Sequence, residues 1–100
     1  MDPAIPNIYI SDVVVSTAGR DQGELFYVID EDPVYLMLAN GKDRTLDKPK
    51  RKKRRHVQKV LRSETRVAEK LLHGDKVLNG ELRRDLAYLA SEMQANNLGG

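Results

Sequence analysis

Cysteine and tryptophan are both absent from the 100 residues. Without thiols the chain carries no disulfide and no thiolate metal site, and a reducing compartment is compatible with it. Histidine is scarce, with two in the chain, and no His/Asp/Glu spacing suits a metal. Long apolar runs are missing too. The longest is Val34 to Ala39, far below the roughly 18 residues of a membrane span. Met1 to Asn7 holds an acid and two prolines rather than a basic start and an apolar core, so no signal peptide is read. The expectation is a soluble, cytoplasmic protein.

The signatures of catalysis are missing as well. Gly19 to Gly23 lacks the Gly-Lys-Ser/Thr ending of a phosphate-binding loop. Ser16 has no base near it in sequence, and Asp30, Glu31 and Asp32 read as a solvated acidic loop. A chain this short buries a modest core, which makes a water-excluding site hard to build. Neither an enzyme nor a cofactor is expected.

Charge is plentiful but unevenly placed. The net charge of +2 hides three blocks. Residues 1–41 set Arg20 against seven acids, a balance of −6. Residues 42–62 set eleven bases against Asp43 and Asp47, a balance of +9. Residues 63–100 come to −1. A local excess of this size attracts polyanions or acidic surfaces.

The apolar pattern predicts strands first and helices later. Met1 to Ser11, with Pro3 and Pro6, reads as a loose arm. Val13, Val14 and Val15 predict a strand over 12–16. Leu25 to Asp30 predicts a second, with Phe26 and Val28 on one face. Tyr35 to Ala39 predicts a third. Asn40-Gly41 then predicts a type I′ hairpin returning through Arg44 to Leu46. His56 to Val60 reads either as a short fifth strand or as the start of a helix. Ser63 is the expected N-cap of a helix carrying Val67, Ala68, Leu71 and Leu72, ended by Gly74. Asn79 is the expected N-cap of a second helix. Its stripe Leu82, Leu86, Leu89 and Met93 is read mainly as core, with a partner surface as the alternative. Asn96 to Gly100 reads as a frayed end. The fold class expected is mainly β with C-terminal α, organised as an arm over 1–11, a small β-barrel over 12–62 and a helical extension over 63–100.

One segment carries a family resemblance. Asp12 to Asp30 reads DVVVSTAGRDQGELFYVID: a β-branched strand, Ala-Gly-Arg-Asp, a glycine, then an aromatic-aliphatic strand. With Leu38-Ala39-Asn40-Gly41 and Lys48-Pro49-Lys50 it resembles the KOW motif. It is similar to small bacterial KOW-domain RNA-binding proteins related to an archaeal and eukaryotic large-subunit ribosomal protein. The resemblance covers residues 12–60 and leaves out the C-terminal helices. It implies an SH3-like barrel of about five strands that docks on RNA, often ribosomal RNA. It also implies a tight bend at Gly23, where a side chain would collide with backbone, and a nucleic-acid-facing loop over Thr17 to Gln22. The length of the basic run departs from the family pattern.

That run supplies the candidate site. Lys48, Lys50, Arg51, Lys52, Lys53, Arg54 and Arg55 fall within eight residues, and His56 ends them. Six consecutive bases repel one another unless something neutralises them. Phosphates lying on two sides of an extended segment would do so. Arg20 and Arg44 join the set as an RNA-facing loop residue and a basic neighbour. Gly19 and Gly23 are assigned to turns. Arg20 and Asp21 are also read as a local pair ordering their turn. Tyr27 and Tyr35 are read as core or as stacking faces. Aromatics are sparse around the run, which favours backbone and shape recognition of a structured RNA. The competing readings are a solvated loop, a nuclear import signal, a module docking an acidic protein, and a transcription-linked nucleic-acid binder.

Overall fold

The computed structural model describes the backbone of residues 7–99, with side chains through Gln94. Five strands precede two helices: β1 (Asp12–Ser16), β2 (Leu25–Glu31), β3 (Tyr35–Ala39), β4 (Lys50–Lys53), β5 (Val57–Arg62), α1 (Arg66–His73) and α2 (Asn79–Gly99). The strands form one antiparallel sheet in the order β4-β3-β2-β1-β5.

A three-residue 3-10 turn, Arg54–His56, joins the two edge strands. In a flat sheet, four strand spacings would hold β4 and β5 roughly 19 Å apart. The step from Lys53 to Val57 reaches at most roughly 14 Å when fully extended. The sheet must therefore curl. Register shifts between Val13 and Val14 in β1, and between Val28 and Asp30 in β2, help it bend. The turn is tied to both sides: Arg54 N–H donates to Val34 O at 2.9 Å, and Thr17 N–H donates to His56 O at 2.9 Å.

Curling gives the sheet two buried faces. Val14, Phe26, Val28, Leu36, Leu38 and Val57 fill the concave side with Ile8. Val13, Tyr27 and Ala39 look outward and meet Val67, Ala68, Leu82, Leu86 and Leu89 of the helices. Adjacent residues such as Val13 and Val14, or Phe26 and Tyr27, thus serve different clusters, as strand alternation requires. The continuous Val13-Val14-Val15 run is what a strand covered on both faces needs. The helices belong to the body of the domain. Leu82, Leu86 and Leu89 are buried in it, and Met93 at the end of the stripe is half-buried.

Tyr27 is fully buried, and its hydroxyl still needs partners. Tyr27 Oη lies 2.8 Å from Ser63 Oγ and within hydrogen-bond reach of Asp85 Oδ2. Thr65 Oγ1 donates to the same Asp85 oxygen at 2.8 Å. Burial, followed by the Asp85 carboxylate, pushes the Tyr27 phenol up to about 12. One polar cluster thereby joins β2, the start of α1 and α2.

Several expectations are corrected. Ile8 is buried, Tyr9 N–H donates to Asp12 Oδ2 at 2.8 Å, and Ile10 N–H donates to Glu31 Oε2 at 3.0 Å. Residues 7–11 are therefore part of the fold rather than a loose arm; residues 1–6 of the expected arm lie outside the described residues. No strand forms at Arg44–Leu46. Asn40 keeps a negative φ, so the type I′ turn does not form. Asn40 Oδ1 instead accepts from Lys42 N and Arg44 N at 2.9 and 3.0 Å, and the fourth strand starts at Lys50. Ser63 faces Tyr27, and Thr65 caps α1 by accepting from Ala68 N. Asn79 accepts from Leu46 N at 2.8 Å. At the start of α2, Glu81 reaches back to Leu78 N–H at 3.0 Å, one half of a capping box. Leu72 is exposed, although it shares the apolar pattern of α1. The helical backbone of α2 continues to Gly99, past the expected fraying point.

The tight glycine is Gly41. Its φ is +78°, and a Cβ there would lie 2.2 Å from Asn79 O. The loop before β4 packs against the first turn of α2 at that point, with no room for a methyl. Gly41→Ala should cost about 3 kcal/mol, from the left-handed backbone and overpacking together. A urea melt should show a lower midpoint with an unchanged slope.

Candidate nucleic-acid interface

Strand geometry divides the basic run into two sets. β4 is an edge strand, paired with β3 in the register Tyr35 with Lys53, Leu36 with Lys52, Met37 with Arg51 and Leu38 with Lys50. Ladder partners share a face. Lys50 and Lys52 therefore share the side of the buried Leu36 and Leu38. Arg51 and Lys53 share the opposite side with Tyr35 and Met37.

The first set is consumed by the protein. Lys52 is 8% exposed. Its ammonium has three N–H groups, and all three are used: Ser16 Oγ at 2.7 Å, Ala18 O at 2.6 Å and Asp21 Oδ1 at 2.5 Å. Lys50 Nζ lies 2.8 Å from Asp21 Oδ2. That approach is an ion pair without hydrogen-bond alignment, since Asp21 Oδ2 has no directed donor among the described residues. Arg54 continues the pattern. Its Nε donates to Asp32 O at 2.8 Å, its Nη1 to Ile8 O at 3.1 Å and its Nη2 to Glu31 Oε1 at 3.3 Å. Lys52 is thus no surface contact, and Arg54 is a strut between the turn, the β2–β3 hairpin and the N-terminal segment.

The second set faces outward. Arg51 and Arg55 are exposed and Lys53 is half-buried. None of the three has an ion-pair partner among the described residues. The Arg51 guanidinium carbon sits 3.7 Å from the centroid of the Tyr35 ring. Asp32 fixes the start of β3 by accepting from Val34 N and Tyr35 N at 2.8 and 2.6 Å. Those bonds, from Tyr35 first, hold its carboxyl below the usual range.

Asp21 is the residue that sequence reasoning placed wrongly. It is 7% exposed, and its partners are Lys50, Lys52 and Ser16 rather than Arg20. Burial by itself would raise its pKa. Contacts from Lys50, Lys52 and Ser16 outweigh burial and hold the carboxyl far below the ordinary value of 3.8. The two lysine partners lie about thirty residues away in sequence, so no local pattern announced them.

Arg20, Arg44 and Lys50 meet at the rim of a cavity of about 260 Å³. Phe26, Asp21, Glu24 and Asp43 complete its lining. Three predicted site residues from three segments are therefore brought together, with acids between them. Lys48 is exposed in the turn before β4, and His56 is half-buried at the end of the 3-10 turn. Gly19 and Gly23 both take positive φ. Gly23 is corrected in one respect: a Cβ there would meet nothing within 4 Å. Backbone conformation, not collision, requires glycine at this bend. Comparison of the chain with known protein families and with curated proteins finds no match to either.

Lys52→Met should cost about 3 kcal/mol in a urea melt, because it leaves a buried carboxylate short of its main donor. Asp21 binds protons more weakly folded than unfolded. The stability it contributes is therefore present above the unfolded value near 4 and is lost as pH falls below it. Asp21→Asn should be less stable at neutral pH, yet decline less steeply below pH 4 than the parent. An identical acid limb in both proteins would refute this assignment.

Proposed function

We propose that the protein binds structured RNA, in the setting of ribosomal RNA or the ribosome, through the outward side of β4 and the adjoining turn. The observation that carries this reading is the split of the basic run. Lys50, Lys52 and Arg54 are neutralised within the protein, whereas Arg51 and Lys53 on the edge strand and Arg55 in the adjoining turn form no ion pair among the described residues. Three cations held on a rigid element, with side-chain entropy partly spent at Arg51, suit phosphates whose spacing is also rigid. Arg20 and Arg44 lie with Lys50 about the cavity on the other side of β4, and Lys48 is exposed in the turn before it; they are a second, separate group of bases. The resemblance of residues 12–60 to the KOW motif supports the same reading, with the curled sheet serving as its SH3-like barrel. A cytoplasmic location accords with it.

Phosphate recognition predicts binding that weakens steeply with salt. With about five phosphates contacted, the log-log slope should lie between roughly −3.5 and −4.5. Replacing Arg51, Lys53 and Arg55 together by Ala should make the slope shallower by roughly 2 to 3 and weaken all RNAs alike. The melt of that variant should be close to the parent's, since none of the three holds the fold by an ion pair. Sedimentation through a sucrose gradient, with and without RNase, tests the ribosomal setting. Co-migration with a large subunit that RNase abolishes is the expected result. Affinity unchanged in the triple variant would overturn the site. A nuclease-resistant protein complex in its place would favour an acidic protein partner.

A further inference from the structure

Phosphate contact leaves one feature of β4 unexplained. Arg51 carries the most exposed position of the strand, yet its guanidinium carbon sits over the Tyr35 ring, 3.7 Å from the centroid. Fixation suits a phosphate contact, but phosphate alone does not call for an aromatic ring beneath the cation. A planar group held on a ring gains a second, outward plane at low entropic cost.

The surroundings fit a plane meant to be covered. Tyr35, Met37, Arg51 and Lys53 lie on the same face of the β3–β4 pair. The cluster buried under the helices includes Ala39 of β3 but, among the described residues, neither Tyr35 nor Met37. Val34, next to Tyr35, is 54% exposed. Arg51 donates to no described residue. Its N–H groups are therefore left for a phosphate or a base edge, and the residue as a whole is exposed.

We infer that the Arg51–Tyr35 pair is a stacking site for one unpaired RNA base, placed beside the phosphate contacts of Lys53 and Arg55. Bases splayed from loops and bulges stack on aromatic rings and on arginine planes. Here a base covers the outer face of the guanidinium, making a three-layer stack of base, Arg51 and Tyr35. Stacking tolerates any base, so the site selects an unpaired nucleotide rather than a sequence. This inference rests on the RNA-binding reading above and adds a preference that phosphate contacts alone do not produce.

The test uses a hairpin RNA with one bulged 2-aminopurine, and the same hairpin with the bulge deleted, at low salt. The full chain is compared with Arg51→Lys, which keeps the charge and loses the plane. Tyr35→Leu removes the supporting ring and Tyr35→Phe keeps it. The parent should prefer the bulged RNA by about tenfold, with a change in 2-aminopurine emission. Arg51→Lys and Tyr35→Leu should lose the preference and the emission change; Tyr35→Phe should retain both. Arg51→Lys changes a surface side chain, so it reports even if Tyr35→Leu folds poorly. Equal binding of both RNAs by the parent, or an equal loss on both in Arg51→Lys, would overturn the stacking site and leave the phosphate reading standing. Failure to bind either RNA at low salt would overturn both.

Discussion

A single buried carboxylate sets the geometry on which the basic surface depends. Asp21 sits in the turn between β1 and β2, and it holds Lys50 and Lys52 of an edge strand that is remote in sequence. Ionised and nearly enclosed, it would be costly alone. Three N–H bonds from the Lys52 ammonium, one of them to Asp21 itself, offset that cost and fix which face of β4 turns inward. The orientation of Arg51 and Lys53 follows by strand alternation. An uncompensated Asp21 would therefore disturb the outward basic side of β4, which it does not touch.

The charge blocks of the chain acquire a structural meaning from this arrangement. The acidic N-terminal block supplies Asp21, Glu31 and Asp12, and each meets a base of the central block: Lys50 and Lys52, Arg54, and Lys59. Part of the +9 excess is thus internal glue. The remainder stands on one edge of the sheet and in its adjoining loops. Self-repulsion among six neighbouring cations is relieved by sending alternate ones in opposite directions. The run is extended over Lys50–Lys53 and enters a 3-10 turn at Arg54, and half of its six consecutive charges answer carboxylates of the protein itself.

Much of the fold was legible because its signals are local. β-branched runs and short alternating segments placed β1, β2 and β3, and the stripe Leu82, Leu86 and Leu89 marked the buried side of α2. The misses fall on short polar side chains. Asn40-Gly41 pointed to a tight hairpin, but Asn40 spent its side chain on Lys42 and Arg44 N–H groups while Gly41 packed on Asn79. Ser63 looked like a cap and was drawn to the Tyr27 hydroxyl instead. Asn79 was likewise taken by Leu46 N–H. At Ser63 and Asn79 a short polar side chain with several feasible local bonds met a partner distant in sequence, whereas Asn40 chose among local donors.

The sequence by itself determined the elements and the place where positive charge accumulates, because hydrophobic period and charge density are properties of neighbours along the chain. Only the tertiary structure decided which cations are free. A strand sends alternate residues to opposite faces, but which parity faces outward depends on register with β3 and on the position of Asp21. Both are fixed by contacts between segments far apart in sequence. The pairing of Arg51 with Tyr35 has the same origin: sixteen positions separate them along the chain, and the β3–β4 ladder brings them together.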